Sequence, residues 1–225
     1  MQNIFKRYEI KYLINNEQYQ KFLLLIKDKM SLDKFGKSLI CNLYFDTDSY
    51  LLIRRSIEKP LYKEKMRLRN YNLSNTCFLE LKKKYKSVVY KRRECFSSLE
   101  MANDFIKNKD YHTQIEEEIV YFLNFYQTLQ PRIFISYQRE AYYGENDLRV
   151  TFDFDLLYRT NDLDLSKGAY GNKILNDQQI LMEIKVSSAF PLWLSEFLTK
   201  EKIYSTSFSK YGRAYMLMKK GTIYV

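Results

Sequence analysis

The sequence predicts an α+β protein whose strands pair in antiparallel fashion, and three observations support this fold class. Several stretches alternate apolar with polar residues, which is the pattern of strands that bury one face. The connections at residues 72–76 and 144–147 are short enough for hairpins, and hairpins join antiparallel strands. The helical stretches lie between groups of strands rather than after every strand, which argues against a doubly wound α/β fold.

The predicted elements follow one another without a break in composition. We predict strands at residues 5–13, 39–45, 63–71, 77–85, 87–94, 132–143, 148–157 and 179–186. We predict helices at residues 16–30, 49–56, 97–107, 113–129, 191–200 and 210–219. Ser97 and Glu100 have the spacing of a capping box, and Pro131 is expected to end the helix before it. Because no repeat, linker or charge block divides the chain, we predict a single domain over residues 1–225.

Composition limits the possible partners. The chain has 225 residues, 37 Lys+Arg against 27 Asp+Glu, a formal net charge of +10 and 46% hydrophobic residues, which is enough for a core. The charge favours a polyanionic partner, which could be a nucleic acid, an anionic membrane surface or a phosphorylated small molecule. Charges interrupt the first twenty residues, and no apolar run approaches the roughly 20 residues of a membrane span. We therefore expect a cytoplasmic protein with reduced cysteines and no membrane span.

The residue inventory excludes several kinds of catalytic site. The chain has one histidine, His112, so a site with several histidine ligands is impossible, and a Ser-His-Asp triad would have to use this residue. His112 precedes an acidic helix start, where a surface or capping role is the simpler interpretation. The sequence contains no glycine-rich phosphate loop and no protein-kinase motif. If the protein handles phosphates, it must therefore bind them with side chains.

One face of the predicted strands is charged and rich in Arg and Lys. Side chains on a strand point alternately to opposite faces. The charged positions include Glu9, Lys11, Lys63, Lys65, Arg67, Arg69, Glu80, Lys82, Arg149, Glu183 and Lys185. The simpler explanation is an ordinary sheet with its charges in solvent, but adjacent like charges on a wet face repel each other. We therefore predict that the charged faces line the lumen of a closed barrel, with the helices packed outside, and that the lumen is a tunnel for phosphates.

Eight short motifs follow one another along the chain. They are Phe5-Lys-Arg-Tyr-Glu-Ile-Lys-Tyr, Leu43-Tyr-Phe-Asp-Thr, Lys65-Met-Arg-Leu-Arg-Asn-Tyr, Phe78-Leu-Glu-Leu-Lys, Tyr137-Gln-Arg-Glu-Ala-Tyr, Leu148-Arg-Val-Thr-Phe-Asp, Met182-Glu-Ile-Lys and Phe208-Ser-Lys-Tyr. In this order they resemble the motifs of VTC-type polyphosphate polymerase domains in the triphosphate tunnel metalloenzyme superfamily. The resemblance runs from about Phe5 to about Tyr215.

The resemblance implies an eight-stranded antiparallel barrel around a basic tunnel, in which the terminal phosphoryl group of ATP is transferred to polyphosphate. It implies catalytic roles for Lys11, Arg67, Arg69, Lys82, Arg139 and Arg149. It implies contacts to ATP, triphosphate or polyphosphate from Lys65, Tyr137, Lys185, Ser209 and Lys210. Glu183, with Glu9, would hold Mg²⁺ or Mn²⁺, since hard cations take carboxylate oxygens and bridge phosphates. The chemistry agrees, because phosphoryl transfer needs positioning and charge neutralisation more than a protein nucleophile.

Two departures from the family pattern bear on the reaction. The wider superfamily often begins with ExExK, but Arg7 occupies the first position here and leaves Glu9 and Lys11. The missing carboxylate removes a potential ligand of a second, water-activating metal, which favours transfer over hydrolysis. Ser207 stands where relatives carry an additional lysine, which would loosen one end of the tunnel.

Two alternative functions remain open. A tunnel-type triphosphatase would share the fold and would need a water-activating carboxylate, for which Glu9 and Glu80 are candidates. A non-catalytic module for polyanions or nucleic acid would place aromatic side chains on the basic face for stacking. In the first strand the tyrosines alternate with the charges, so no nucleic-acid partner is expected. Asp46 and Asp48 could form a metal pair, but a turn and helix cap is the more common use of such residues.

Overall fold

The computed structural model describes residues 8–86 and 88–222. Within these ranges the strands are β1 (Tyr8–Ile14), β2 (Met30–Asp46), β3 (Tyr62–Tyr71), β4 (Cys77–Tyr85), β5 (Val88–Phe96), β6 (Gln130–Gly144), β7 (Arg149–Arg159), β8 (Asn172–Lys173), β9 (Ile180–Val186) and β10 (Ser205–Thr206). The α-helices are α1 (Asn16–Ile26), α2 (Leu51–Ile57), α3 (Leu99–Asn108), α4 (Gln114–Tyr126), α5 (Leu192–Lys200) and α6 (Lys210–Thr222), with a 3-10 turn at Leu165–Lys167. None of these helices is long and apolar enough to cross a bilayer.

The eight predicted strands are present, although their ends differ. Residues 5–7 of the first predicted strand, and with them Arg7, lie outside the described residues, as does residue 87. The largest difference is at β2, which begins at Met30, where a helix was expected to continue. The chain from Ser31 to Ser38 is mostly exposed and has no clear apolar period, so its strand character follows from pairing rather than from local pattern.

The helix starts follow local hydrogen bonding. Thr113 and Glu116 form a capping box at α4, and Asn15 forms one with Gln18 at α1. At α3 the cap is Ser98, whose side chain accepts a hydrogen bond from the Met101 amide, so the prediction of Ser97 as the cap was wrong by one residue. Pro131 lies inside β6 and does not end α4, which already stops at Tyr126.

The described strands form an open antiparallel sheet, and the prediction of a closed eight-stranded barrel was wrong. Their hydrogen-bonded order is β10-β1-β9-β7-β6-β2-β3-β4-β5, with β8 beside β7. The order has two ends, β10 and β5. Closure requires hydrogen bonds between the first and last strands, and the alternation of apolar and charged residues does not specify such bonds. An open sheet with one charged face satisfies the same alternation.

The chain divides into two compact units, and each has its own core. The first unit comprises Met1–Ser38, Tyr137–Leu156 and Leu175–Phe208. In it, β1 pairs with β10 on one side and with β9 on the other, and β9 pairs with β7. Helices α1 and α5 cover the apolar face, where the ring of Phe22 meets the rings of Phe152 and Phe197 edge-on at 5.4 and 5.3 Å between centroids.

The second unit comprises Leu39–Ser136, Leu157–Ile174 and Ser209–Val225. Its β3, β4 and β5 form a continuous antiparallel meander on β2. Met66 and Leu68 on β3 and Leu79 and Leu81 on β4 are fully buried on one face, in the same core as Phe122 of α4. Most charged residues of β3 and β4 therefore share the opposite face, namely Lys63, Lys65, Arg67, Arg69, Glu80, Lys82 and Lys84, whereas Glu64 and Lys83 lie on the same face as the apolar residues. The prediction that residues 1–225 act as one domain stays a prediction.

Candidate functional site

A buried glutamate organises the charged face of the second unit. Glu80 on β4 is 2% exposed, and the sheet register places it directly between Arg67 on β3 and Arg93 on β5. The Nε atoms of Arg67 and Arg93 donate to its two carboxylate oxygens at 2.6 and 2.8 Å. Lys91 Nζ lies 2.9 Å from Oε1, and Arg69 Nη1 lies 3.9 Å from Oε2. We call these five residues the Glu80 cluster.

The cations of the Glu80 cluster determine the ionisation of its carboxylate. Burial alone would raise the pKa of Glu80, but Arg67, Arg69 and Lys91 outweigh burial and hold the pKa far below its usual range. Burial in turn lowers the pKa of Lys91. The carboxylate is therefore ionised throughout the physiological range. The cationic side chains nevertheless outnumber it four to one, which leaves an electrostatic preference for a further anion.

Polar and aromatic side chains orient two arginines of the cluster. Arg67 Nη1 donates to the Tyr44 hydroxyl at 3.1 Å, and Arg69 Nε donates to Asn42 Oδ1 at 2.8 Å. Arg69 Nη1 also donates to the Tyr71 hydroxyl at 3.3 Å. Burial would raise the pKa of Tyr71, but Arg69 and Arg93 lower it overall. These contacts hold both guanidinium groups in one orientation before any ligand binds.

Sequence reasoning missed Lys91 and Arg93, although both lie on a predicted strand. They are two positions apart on β5 and so share a face, as Glu80 and Lys82 do on β4. The alternation was visible in the sequence, but only the register shows that Arg93 faces Glu80. Tyr44 and Tyr71 stand in two of the eight motifs and Asn42 in none, but none of the three was assigned to the site, because polar and aromatic residues on strands have many other uses.

The Ser209–Lys210 pair lies at the start of α6 in the same unit. Ser209 Oγ accepts a hydrogen bond from the Gly212 amide at 3.1 Å and so caps the helix. Lys65 Nζ donates to the same Oγ at 3.1 Å, which joins β3 to the helix start. Lys82 is exposed on β4, opposite Lys65 on one side and Lys91 on the other. The predicted residues of this unit therefore lie on or beside one face of β3 and β4.

A second buried glutamate organises the charged residues of the first unit. Glu183 on β9 is opposite Lys11 of β1 in the register, and Lys185 is opposite Glu9. Lys185 Nζ lies 2.8 Å from Glu183 and 3.8 Å from Glu9, while Lys11 Nζ lies 3.7 Å from Glu183 and 3.3 Å from Glu9. Two lysines thus bridge two carboxylates. We call these four residues the Glu183 cluster.

Lysines and a nearby arginine keep Glu183 ionised. Burial would raise its pKa, but Lys185, Lys11 and Arg139 outweigh burial and move the pKa well below its usual range. Arg139 is itself held by Asp153, which is fully buried, through Nε at 2.6 Å and Nη2 at 2.8 Å. Burial would lower the pKa of Arg139, yet Asp153 raises it well above its usual value. This bidentate pair fixes the plane of the guanidinium.

Tyr137 and Arg149 complete the predicted residues of the first unit. The Arg139 guanidinium lies 5.2 Å from the centre of the Tyr137 ring, and Tyr137 is buried. Arg149 begins β7 opposite Lys185 in the register, with its guanidinium 4.8 Å from the Tyr143 ring and Nη2 3.7 Å from Asp33. Arg149 therefore lies on β7, which pairs with β9 of the Glu183 cluster, and Tyr137 lies one strand further away, on β6.

The chemistry of the Glu183 cluster fits a hard divalent cation. Glu183 and Glu9 both lie within 4 Å of the ammonium groups of Lys11 and Lys185, so their carboxylate oxygens are close to each other. Thr151 is opposite Glu183 on β7, and its buried Oγ1 has no hydrogen-bond partner among the described residues. The described residues contain no group of three His, Cys, Asp or Glu side chains, so a bound ion would keep several waters, as Mg²⁺ commonly does.

The aspartate pair that could have been a metal site is a turn and helix cap. The carboxylate of Asp46 is buried and accepts hydrogen bonds from the amides of Thr47, Leu52 and Ile53 at 2.8, 2.9 and 3.0 Å. Asp48 is exposed and lies 3.6 Å from Arg132. The two carboxylates thus have different partners, and the interpretation as a turn is the one that the hydrogen bonds support.

The thirteen predicted site residues fall into two groups. Lys65, Arg67, Arg69, Lys82, Ser209 and Lys210 belong to the second unit, and Glu9, Lys11, Tyr137, Arg139, Arg149, Glu183 and Lys185 belong to the first. Their roles stay predictions. What the geometry adds is that each unit contains a buried ionised glutamate surrounded by cations: Glu183 in the first unit and, in the second, Glu80, which was not among the predicted site residues.

Comparison with known proteins places the chain in a family. The VTC domain family model matches residues 6–219. No curated protein sequence matches the chain. Three solved structures share the fold. A candidate adenylate cyclase from Bacillus halodurans has 14% identity and a TM-score of 0.58, and the match covers 89% of this chain and 92% of that chain. HpAC1 from Hippeastrum, described as having a dominant triphosphatase activity, has 16% identity and a TM-score of 0.57, with coverage of 92% of this chain and 94% of that chain. The PH1819 protein from Pyrococcus horikoshii OT3 has 14% identity and a TM-score of 0.50, with coverage of 97% of this chain and 99% of that chain.

These structural likenesses, at identities of 14–16%, concern the fold alone. The sequence match is more specific, because it spans nearly the whole chain and includes the eight motifs that carried the resemblance, apart from Phe5 at the start of the first motif. The resemblance to VTC domains is therefore confirmed. The protein belongs to the VTC domain family.

Proposed function

We propose that this protein is a polyphosphate polymerase, an enzyme that transfers the terminal phosphoryl group of ATP to a polyphosphate chain with the help of Mg²⁺ or Mn²⁺. The observation that carries the proposal is the Glu80 cluster. It holds three arginines and a lysine on neighbouring strands around one carboxylate. Membership of the VTC domain family supports the same substrate class.

In this proposal the Glu80 cluster binds phosphate groups. Arginine forks match phosphate oxygens, and Lys91 acts as a point charge beside them. Glu80, Asn42 and Tyr44 hold Arg67 and Arg69 before the ligand arrives, so less side-chain entropy is lost on binding. Lys65, Lys82 and the Ser209–Lys210 pair would extend the contacts to neighbouring phosphates. Glu80 itself orients the cations and does not react.

The Glu183 cluster would hold the divalent cation through Glu183 and Glu9. When bound, the cation supplies charge neutralisation on phosphate oxygens. Lys11 and Lys185, which bridge the two carboxylates, carry ammonium groups that can contact phosphate oxygens instead. Arg139, held in plane by Asp153, and Arg149 would contribute further cationic contacts.

The reaction needs no protein nucleophile. A terminal oxygen of the acceptor chain forms a bond to the γ-phosphorus of ATP, the bond from that phosphorus to the β–γ bridging oxygen breaks, and ADP leaves. The side chains position the two phosphate chains and stabilise the charge that spreads over the transferred group. This division of labour suits a chain whose single histidine, His112, is exposed and hydrogen-bonded through its backbone amide to Glu116.

A triphosphatase is the second candidate, and the fold shared with HpAC1 makes it worth testing. Hydrolysis requires a carboxylate that can accept a proton from water. Glu80 is poorly suited, because the surrounding cations hold its pKa far below its usual range and so make it a weak base. Glu9, whose side chain is 35% exposed, is the better candidate for that role.

One assay separates these functions. Purified protein is incubated with ATP and Mn²⁺ or Mg²⁺, and the products are resolved by chain length on a gel while free phosphate is measured in parallel. A ladder of long polyphosphate with stoichiometric ADP supports the polymerase. Free phosphate without polymer supports the triphosphatase, and salt-sensitive polyphosphate binding without turnover supports a non-catalytic module. Either of the last two results would overturn the proposal. Unchanged turnover in an Arg67→Ala variant would show that the Glu80 cluster has no part in the proposed reaction.

We further propose that residues 1–225 act together as one VTC domain, with ATP and polyphosphate as its partners and without a nucleic-acid ligand. The family match spans parts of both units, which supports this interpretation. A cytoplasmic location stays a prediction.

A further inference from the structure

The cationic face of the second unit continues beyond the Glu80 cluster. In the register of β3, β4 and β5, the next same-face row after Arg67, Glu80 and Arg93 consists of Lys65, Lys82 and Lys91. The row after that begins with Lys63 on β3 and Lys84 on β4, which lie directly opposite each other. We call Lys63 and Lys84 the outer lysine pair. These two residues were not among the predicted site residues.

In the part of the chain that the structure describes, no carboxylate lies within ion-pair distance of the outer lysine pair. Among the described residues, neither lysine forms an ion pair, and Lys63 Nζ donates to the carbonyl oxygen of Ser56 at 3.4 Å. Like charges directly opposite each other on neighbouring strands are destabilising. Burial lowers the pKa of Lys63, and Lys84, Lys59 and Lys82 lower it further. An anion at this position would relieve that repulsion.

The position of the pair distinguishes long from short ligands. Same-face residues on a strand are two positions apart, about 6.6–6.8 Å, so Lys63 lies about 13 Å along β3 from Arg67. A short ligand held at the Glu80 cluster need not reach it. A long phosphate chain that follows the cationic face passes Lys65 and Lys82 and then meets the outer pair.

We propose that Lys63 and Lys84 bind inorganic polyphosphate beyond the phosphates held at the Glu80 cluster, and so make affinity increase with chain length. This inference rests on the proposed function for its ligand. The positive charge of the successive lysine rows on β3 and β4 favours an extended polyanion. The regular spacing of these rows suits a polyanion with a repeating unit. Val89, which occupies the β5 position of the outer row, offers no hydrogen bonds for the recognition of bases.

The strand offers a matched control. Lys83 is the neighbour of Lys84 in sequence, but it lies on the opposite face, between Glu64 and Tyr90 in the register. Lys107 is exposed on α3. The double variant Lys83→Gln/Lys107→Gln therefore removes the same charge as Lys63→Gln/Lys84→Gln without altering the cationic face.

The experiment measures binding of long-chain polyphosphate and of inorganic tripolyphosphate by calorimetry, without nucleotide or divalent metal. For Lys63→Gln/Lys84→Gln we expect long-chain affinity to fall about three- to thirty-fold, as two partly exposed charge contacts would give. Tripolyphosphate affinity should stay within about twofold of the wild type. The slope of long-chain affinity against salt concentration should also decrease, because fewer counterions are released.

Several results would overturn the inference. Equal losses for the two ligands, or equal losses in the control variant, would mean that the pair acts through net charge alone. Pair-dependent binding of anionic lipid vesicles or single-stranded DNA, with polyphosphate unaffected, would assign the surface to another partner. Because the assay needs no turnover, its outcome is separate from that of the proposed function: a protein that makes no polymer can still show the chain-length effect, and a polymerase can lack it.

Discussion

The hydroxyl of Tyr211 donates a hydrogen bond to the carboxylate of Asp46 at 2.8 Å, and both side chains are buried. Asp46 ends β2 and its carboxylate also caps the first turn of α2, while Tyr211 lies in the first turn of α6. The bond therefore joins two helix starts. Because α6 begins at Lys210 and is capped by Ser209, the same bond positions two of the residues proposed to contact phosphate.

Replacement of Tyr211 by Phe should lower stability without loss of the fold. The ring keeps its stacking on Tyr44, at 4.7 Å between centroids, but Asp46 loses one of its four hydrogen bonds in a buried environment. We expect the free energy of unfolding, measured with urea, to fall by about 1–3 kcal/mol. Tyr215→Phe on the same helix is the control, and a similar loss there would show that the Asp46 bond is not responsible.

Replacement of Glu80 by Gln should destabilise the protein and make its stability depend on added anions. The variant keeps the shape of the side chain but leaves Arg67, Arg69, Lys91 and Arg93 without their shared carboxylate. Loss of one partner from a buried ion pair costs about 3–5 kcal/mol. Tripolyphosphate should raise the melting temperature of this variant more than that of the wild type. Glu94→Gln on β5 is the control, and an equal response to tripolyphosphate in all three proteins would contradict the prediction.

The two buried glutamates should make the protein sensitive to acid. The pKa values of Glu80 and Glu183 are lower in the folded protein than in the unfolded chain. Their contribution to stability is therefore present above the unfolded pKa of about 4.3 and is lost as the pH falls below it. Urea unfolding between pH 7 and pH 3 should show the free energy of unfolding decreasing below about pH 5. The decrease should be shallower in Glu80→Gln, and parallel curves for the two proteins would exclude Glu80 as its source.

Replacement of Glu183 by Ala should abolish metal-dependent turnover while the fold persists. Lys11 and Lys185, which lose a partner, have side chains that are 26% and 30% exposed and can turn to water. We expect activity with Mn²⁺ to fall by more than about 100-fold, because even residues that only support metal ligands commonly account for 10–100-fold. Direct Mn²⁺ binding should weaken in parallel. Glu196→Ala on α5 serves as the control, and near-normal Mn²⁺ binding by Glu183→Ala would remove this residue from the metal site.

Replacement of Arg67 by Ala should weaken tripolyphosphate binding more selectively than replacement of Arg69. A charge-assisted hydrogen bond contributes about 1.5–3 kcal/mol, which corresponds to about a 10- to 150-fold change in affinity. The Arg69 side chain is 7% exposed and bonded to Asn42, so Arg69→Ala should also lower stability, whereas the Arg67 side chain is 23% exposed. Calorimetry and urea unfolding on both variants would test this difference. Arg55→Ala, on the exposed face of α2, is the control for lost charge.

The site was predictable to the extent that it depends on the order of residues within one strand. Arg67 and Arg69 share a face because they are two positions apart, and this holds wherever the strand lies. Arg93 could not be assigned to the same cluster, because its neighbour Glu80 is on another strand. Their contact depends on the turn at Lys86, where the backbone has a positive φ of 51°, and on the register that follows from it.

The fold, like the site, was predictable where it depends on residues within one strand and not where it depends on pairing between strands. Both ends of the strand Cys77–Tyr85 were predicted correctly, since Cys77, Leu79 and Leu81 lie two positions apart and polar segments flank the strand. The two-residue strand Ser205–Thr206 was missed, because two residues are too few to show a period and its strand character comes from pairing with β1. The closed barrel was wrongly predicted for a related reason: alternation defines two faces of a sheet but does not determine whether its last strand meets its first.

By itself, the amino-acid order determined the family of this protein, its excess of positive charge and the assignment of cationic side chains to one face of each strand. These properties depend on residue identity and on the two-residue period of an extended chain, which are local. Only the tertiary structure decided that Glu80 and Glu183 are the buried centres of the two charged clusters, and that Lys63 meets Lys84. These relationships depend on which strands become neighbours and in what register, and that choice is made by packing between segments far apart in the chain.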